Sequence, residues 1–146
     1  MKGGNSDVVV RVYLMLYSSL GTSGESRLRT FSIDCGRESS DLECGEFEGK
    51  GSSVQSPFYA FKIGFKQIAY DYDALTDDLN KLFDCIQSNK SKIFKLLDNG
   101  EVKTTFGINF NCKNRDHKPA FDLMSDQLEL LGEIGATISL DTYFDF

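Results

Sequence analysis

From Asp7 to Ser18 the chain alternates with a period of two, and it is largely apolar on both sides. Val8, Val10, Val12, Leu14 and Leu16 share one face, while Val9, Arg11, Tyr13, Met15 and Tyr17 share the other. Successive side chains of a β-strand point to opposite faces, and β-branched residues suit that pleated surface. A strand with two apolar sides belongs in the middle of a sheet. Any fold for this chain has to be built around such a strand.

The rest of the chain supplies its neighbours. A Gly/Ser turn is expected at 18–24, then a strand over Arg27–Cys35 with Phe31, Ile33 and Cys35 on one face. Phe58–Tyr70 reads as one long strand, with Tyr59, Phe61, Ile63 and Phe65 pointing one way and Lys62 and Lys66 the other. Asp71 or Asp73 can cap the helix that follows. Leu75, Leu79, Leu82, Phe83, Ile86, Ile93, Phe94 and Leu97 then recur at helical spacing, and Asp98-Asn99-Gly100 stops the helix. Val102–Cys112 alternates again, with Val102, Thr104, Phe106, Ile108, Phe110 and Cys112 facing the core. A polar loop at Lys113–Pro119 precedes a second helix, capped by Ser125, with Leu128, Leu131 and Ile134 as its apolar side. Gly135 ends it, and Ala136–Phe144 is the last strand, with Ile138 and Leu140 inward. A chain of 146 residues fits one domain. The expected architecture is a single α+β domain, a mostly antiparallel sheet of about five strands with two main helices packed on one face.

The segment 36–56 breaks the pattern. It holds four glycines and five serines and has few apolar residues, so it is expected to be an exposed loop. It also concentrates acid: Glu38, Asp41, Glu43, Glu46 and Glu48, with Asp34 just before, opposed by Arg37 and Lys50. The whole chain carries a net charge of −6 and a pI near 4.7. That balance argues against nucleic acid, whose phosphates need Lys and Arg, and it admits a basic protein partner. Glu43, Glu46 and Glu48, with Phe47 as an apolar anchor, are the expected partner-binding residues.

No constellation specifies a reaction. Cys35, Cys44, Cys85 and Cys112 form no Cys-x-x-Cys pair, and His117 is the single histidine, so neither structural zinc nor a Cys–His nucleophile is expected. Cys85 and Cys112 fall on apolar faces and are expected to be buried thiols. Cys35 and Cys44 could pair only in an oxidising compartment. The carboxylates Asp71/Asp73 and Asp77/Asp78 read as helix-start residues rather than an acid–base pair. Gly45–Lys50 lacks the spacing of a phosphate loop. Arg11 interrupts the only N-terminal apolar run, so no signal peptide is expected, and no run approaches the roughly 18–20 apolar residues of a membrane span. The expectation is a cytoplasmic binding protein, not an enzyme, with no cofactor and no metal.

The C-terminus carries a resemblance. Its helix runs through Ile134-Gly135-Ala136 into a strand that bears Asp141 and Tyr143. From about Ser56 to Phe146 the chain resembles the bacterial domain-of-unknown-function family 4279. That family usually ends in an acidic-capped helix, Leu-Gly-Ala, and a strand carrying Asp-x-Asp-x-Tyr. Asp141 and Tyr143 match the second Asp and the Tyr. Ser139 stands in place of the first Asp, so a role needing both carboxylates does not carry over. The resemblance implies a compact α+β fold without an established activity, and some relatives look like immunity proteins of bacterial toxin systems. The expected function is therefore a cytoplasmic immunity protein that occludes a cognate basic toxin, such as a nuclease of a contact-dependent growth inhibition system. The alternative is a small-ligand-binding or regulatory domain that uses the Asp141/Tyr143 sheet face.

Overall fold

The computed structural model describes residues 5–33, 42–51, 56–98, 100–114 and 119–144. Among them the alternating N-terminal segment forms β1 (Asn5–Ser19), the centre of one sheet. Its neighbours are β3 (Phe58–Phe65) on one side and β5 (Lys103–Cys112) on the other, both antiparallel. Beyond β3 lies β2 (Leu42–Gly49), antiparallel to it. Beyond β5 lies β6 (Thr137–Phe144), parallel to it. The order is thus β2-β3-β1-β5-β6, and a short β4 (Ile68–Tyr70) pairs with the start of β1.

Val8, Val10, Val12, Leu14 and Leu16 of β1 are all buried, as the alternation requires. They share a core with Tyr59, Phe61, Ile63 and Phe65 of β3 and with Phe106, Ile108, Phe110 and Cys112 of β5. Four helices among the described residues feed the same core: α1 (Ser23–Arg29), α2 (Tyr72–Ser88), α3 (Lys90–Leu97) and α4 (Ser125–Glu133). Each fully buried Leu or Ile there contributes about 1.5–3 kcal/mol gross before chain entropy is subtracted. Among the described residues no helix covers the other face of the sheet, where Arg11 is exposed and Val9, Tyr13, Met15 and Tyr17 are partly so.

The α+β class, the single mostly antiparallel sheet and the helical cover are as the patterning implies, but several elements differ. The strand expected at Arg27–Cys35 is absent as far as residue 33. Ser23–Arg29 is helical instead, with Thr22 Oγ1 accepting from the Glu25 amide at 3.3 Å. Leu28 is the buried residue of that helix, and residues beyond 33 in this stretch lie outside the described ones. The segment expected to be a loop contains β2, so Glu43, Glu46 and Glu48 sit on a strand, while Glu38 and Asp41 lie outside the described residues. The long strand Phe58–Tyr70 is interrupted at Lys66-Gln67, which divides β3 from β4.

The single helix expected from Asp71 to Leu97 is two. Asp71 does cap it, accepting from the Ala74 amide at 3.0 Å. Asn89 divides it: its buried side-chain amide donates to the Cys85 carbonyl at 2.8 Å, competing with the helical ladder. Phe94 of α3 is 39% exposed rather than in the core.

Two inward assignments near the C-terminus are also corrected. In α4 the buried positions are Gln127, Leu130, Leu131 and, just past its end, Ile134, a single helical stripe, while Leu128 is 45% exposed. The stripe tolerates a glutamine because Gln127 Nε2 donates to Asn80 Oδ1 at 3.0 Å and its Oε1 accepts from the Met124 amide at 2.9 Å. The helix begins at Ser125, so the capping position is Met124, not Ser125. Gly135 ends this stretch with φ +66°, the left-handed conformation that favours glycine. In β6, Ile138 and Leu140 stand opposite Phe106 and Ile108 and hence on the core side, yet they are 42% and 55% exposed. The strand is at the sheet edge, whereas α1 and α2 lie over β1 and β3.

Candidate functional site

The acidic segment forms the outer strand of the sheet. Leu42 pairs with Phe65 and is buried, which fixes the facing of everything after it. Cys44, Glu46 and Glu48 follow Leu42 on the helix-covered side, while Glu43, Gly45 and Phe47 take the open side. All six residues from Glu43 to Glu48 are exposed. The four residues expected to bind a partner are therefore neighbours on one strand but are divided between its two faces. Among the described residues the outer edge of β2 pairs with no other strand.

Two of the three carboxylates have partners within the chain. Glu48 accepts from Arg29 at 3.0 Å, and Arg29 in turn reaches Glu25 at 2.7 Å. Glu43 lies 3.5 Å from Lys66. These pairs are on the surface, where water screens them and a competing cation can exchange in. Glu46 acts on Tyr59: burial first, then the Glu46 carboxylate, push the tyrosine pKa up to about 12. The Arg29 guanidinium lies over the Tyr59 ring, 4.2 Å from its centroid. Phe47 is 40% exposed and meets Phe58 edge-on at 6.1 Å, so it is steadied from below while presenting an apolar surface.

Asp141 and Tyr143 both lie on the open face, opposite Asn109 and Asn111 of β5. The Ser139 hydroxyl donates to Asp141 Oδ2 at 3.1 Å, so the residue that replaces an acid in the family pattern serves the remaining one. Tyr13 belongs to the same surface. Burial raises its pKa first and the charge of Asp141 next. Asn109 Oδ1 is buried there and has no hydrogen-bond partner among the described residues. Tyr143 is 56% exposed.

Sequence reasoning passed over the cations of the open face. Arg11, Lys62 and Lys66 line a concavity of about 480 Å³ together with Glu43, Gly45 and Phe47. The signal was Arg11 itself, a charge in an otherwise apolar strand. Lys62 extends over the Tyr13 ring, 4.6 Å from its centroid, and burial followed by repulsion from Arg11 lowers its pKa.

Cys85 and Cys112 are buried, as their apolar faces imply, and Cys44 is exposed on β2. Cys35 and His117 lie outside the described residues, so the Cys35–Cys44 pairing and the environment of His117 do too. Among the described residues no three His, Cys, Asp or Glu side chains are grouped so as to hold a metal ion. No helix among them is long and apolar enough to cross a membrane.

A family model described as Domain of unknown function (DUF4279) matches residues 54–145. The match takes in β3 through β6 and all helices but α1, and it leaves out β1, α1 and β2. No curated protein and no solved structure matches the chain.

Proposed function

The chain belongs to the DUF4279 family, and we propose that it is a cytoplasmic immunity protein that binds and occludes a cognate basic toxin domain. One observation carries this reading: an acidic strand, exposed from Glu43 to Glu48, forms an open edge of the sheet. Nuclease toxins need basic clefts to hold phosphates, and an acidic strand is complementary to such a cleft. Opposite charges steer two proteins together over about 8 Å at physiological ionic strength. On contact, Glu43 and Glu48 exchange Lys66 and Arg29 for cations of the toxin, Glu46 adds a third carboxylate, and Phe47 supplies the apolar anchor. The outer edge of β2, which pairs with no other strand among the described residues, adds backbone hydrogen-bonding groups that a strand of the partner can pair with. No catalytic group, cofactor or metal enters the mechanism.

The test is protection in cells. The neighbouring genes are searched for an exported protein with a toxin domain, whose absence would remove the reading; that domain is expressed with the parent protein or with a Glu43→Gln, Glu46→Gln, Glu48→Gln variant. The parent should restore growth and the variant, present at the same level, should not. Equal protection by the two would remove β2 from the interface.

A further inference from the structure

The open sheet face contains a depression that the packing itself creates. Gly64 stands between Glu43 on β2 and Tyr13 on β1. A Cβ there would come within 2.6 Å of the Val12 carbonyl oxygen and 2.9 Å of Tyr13 Cβ, so no side chain can occupy the position. Gly45 lies diagonally across from it, opposite Lys62, and a Cβ on Gly45 would meet nothing within 4 Å. Two bare positions on adjacent strands leave the floor of the groove as backbone. The concavity of which this groove is part, whose lining also takes in Cys44, Glu46 and Phe65, has a volume of about 480 Å³, in the range of small-molecule sites.

The walls are chemically uneven. Lys66 is paired with Glu43. Arg11 and Lys62 enter no ion pair among the described residues. They are close enough for Arg11 to disfavour the charged form of Lys62, which burial already disfavours. Two unneutralised cations lining one concavity, in a chain whose net charge is −6, repel one another at a cost that an anion between them removes. Arg in particular offers a planar fork suited to a carboxylate or a phosphate. Across the floor, the exposed side of Phe47 provides a flat apolar wall.

We propose that this groove binds a small organic anion, a carboxylate or phosphate joined to a flat apolar group. The charged group sits between Arg11 and Lys62, and the flat part lies over Gly64 and Gly45 against Phe47. The proposal does not rest on the toxin-binding reading, although the groove shares Glu43 and Phe47 with that edge, since it calls for a ligand of the opposite charge.

Benzoate and phenyl phosphate are the probes, each titrated into the 15N-labelled protein and followed by amide chemical shifts. Saturable shifts confined to Arg11, Tyr13, Gly45, Lys62, Gly64 and their neighbours are expected with at least one probe, and the tighter of the two names the charged group. An Arg11→Gln, Lys62→Gln variant should bind at least about tenfold more weakly. Arg11→Gln alone, at an exposed side chain, should already weaken binding. Lys103→Gln, on the same face at the start of β5 opposite Tyr17, should bind as the parent does. Failure of both probes to saturate in the millimolar range, or unchanged binding by the Arg11 variant, would overturn the proposal.

Discussion

The Tyr13 ring lies across Gly107 so closely that a Cβ built on the glycine would come within 2.2 Å of Tyr13 Cζ and 2.4 Å of its hydroxyl. The two residues are directly opposite in adjacent strands. The missing side chain on β5 is what lets the tyrosine lie down on the sheet, toward Asn109 and Asp141. The open face therefore has a relief set by glycines: Gly107 is covered by Tyr13, and Gly64 is left bare on the other side.

Gly107→Ala should force the ring off the sheet and cost about 1–3 kcal/mol in chemical denaturation. In a Tyr13→Ala background most of that cost should vanish, because the obstacle is gone. An equal cost in both backgrounds would mean that the ring is not what excludes a side chain at Gly107.

The inward stripe of α4 is tested by two leucines three positions apart. Leu131 is 1% exposed and Leu128 is 45% exposed. Leu131→Ala should destabilise the protein by about 2–4 kcal/mol, whereas Leu128→Ala should change stability by about 0.5 kcal/mol or less. A large loss at Leu128 with a small one at Leu131 would reverse the facing of the helix.

Tyr59 gives the fold a dependence on alkaline pH. Its folded-state pKa of about 12 lies above the unfolded value near 10. The stability contributed by the neutral phenol is thus fully present below pH 10 and is lost as pH rises from there through about 12. Tyr59→Phe should flatten the stability profile in that window and leave it unchanged at neutral pH apart from a constant offset. A profile that falls equally steeply in the variant would place the alkaline sensitivity elsewhere.

Much of this fold was legible where one side of an element meets the core and the other meets water or the open face. β1, β3 and β5 declared themselves by alternation, and Asp71 and Gly135 by capping and stop chemistry. β2 was not legible because an edge strand exposed on both faces needs no apolar alternation: Glu46 and Glu48 occupy its core-side positions. Helix α1 left a trace in Thr22-Ser-Gly-Glu25, the spacing of a capping box, but seven residues with one buried leucine give almost no periodicity. Ile138 and Leu140 misled because facing follows from register, whereas burial depends on how far the helices reach. The acids of the candidate interface were legible as a charge cluster. Their division between two faces, and the groove beside them, arise from pairing between β2, β3 and β1, which no local pattern contains.

The assignment of β2 as the contact edge is tested most directly by association kinetics. The on-rate of a toxin domain found by the neighbouring-gene search is measured with the parent and with the Glu43→Gln, Glu46→Gln, Glu48→Gln variant, each at low and at raised salt. The parent should associate quickly and slow steeply as salt rises; the variant should be at least about tenfold slower at low salt and depend weakly on salt. An on-rate and salt dependence unchanged by removing the three charges would contradict the role given to the acidic edge.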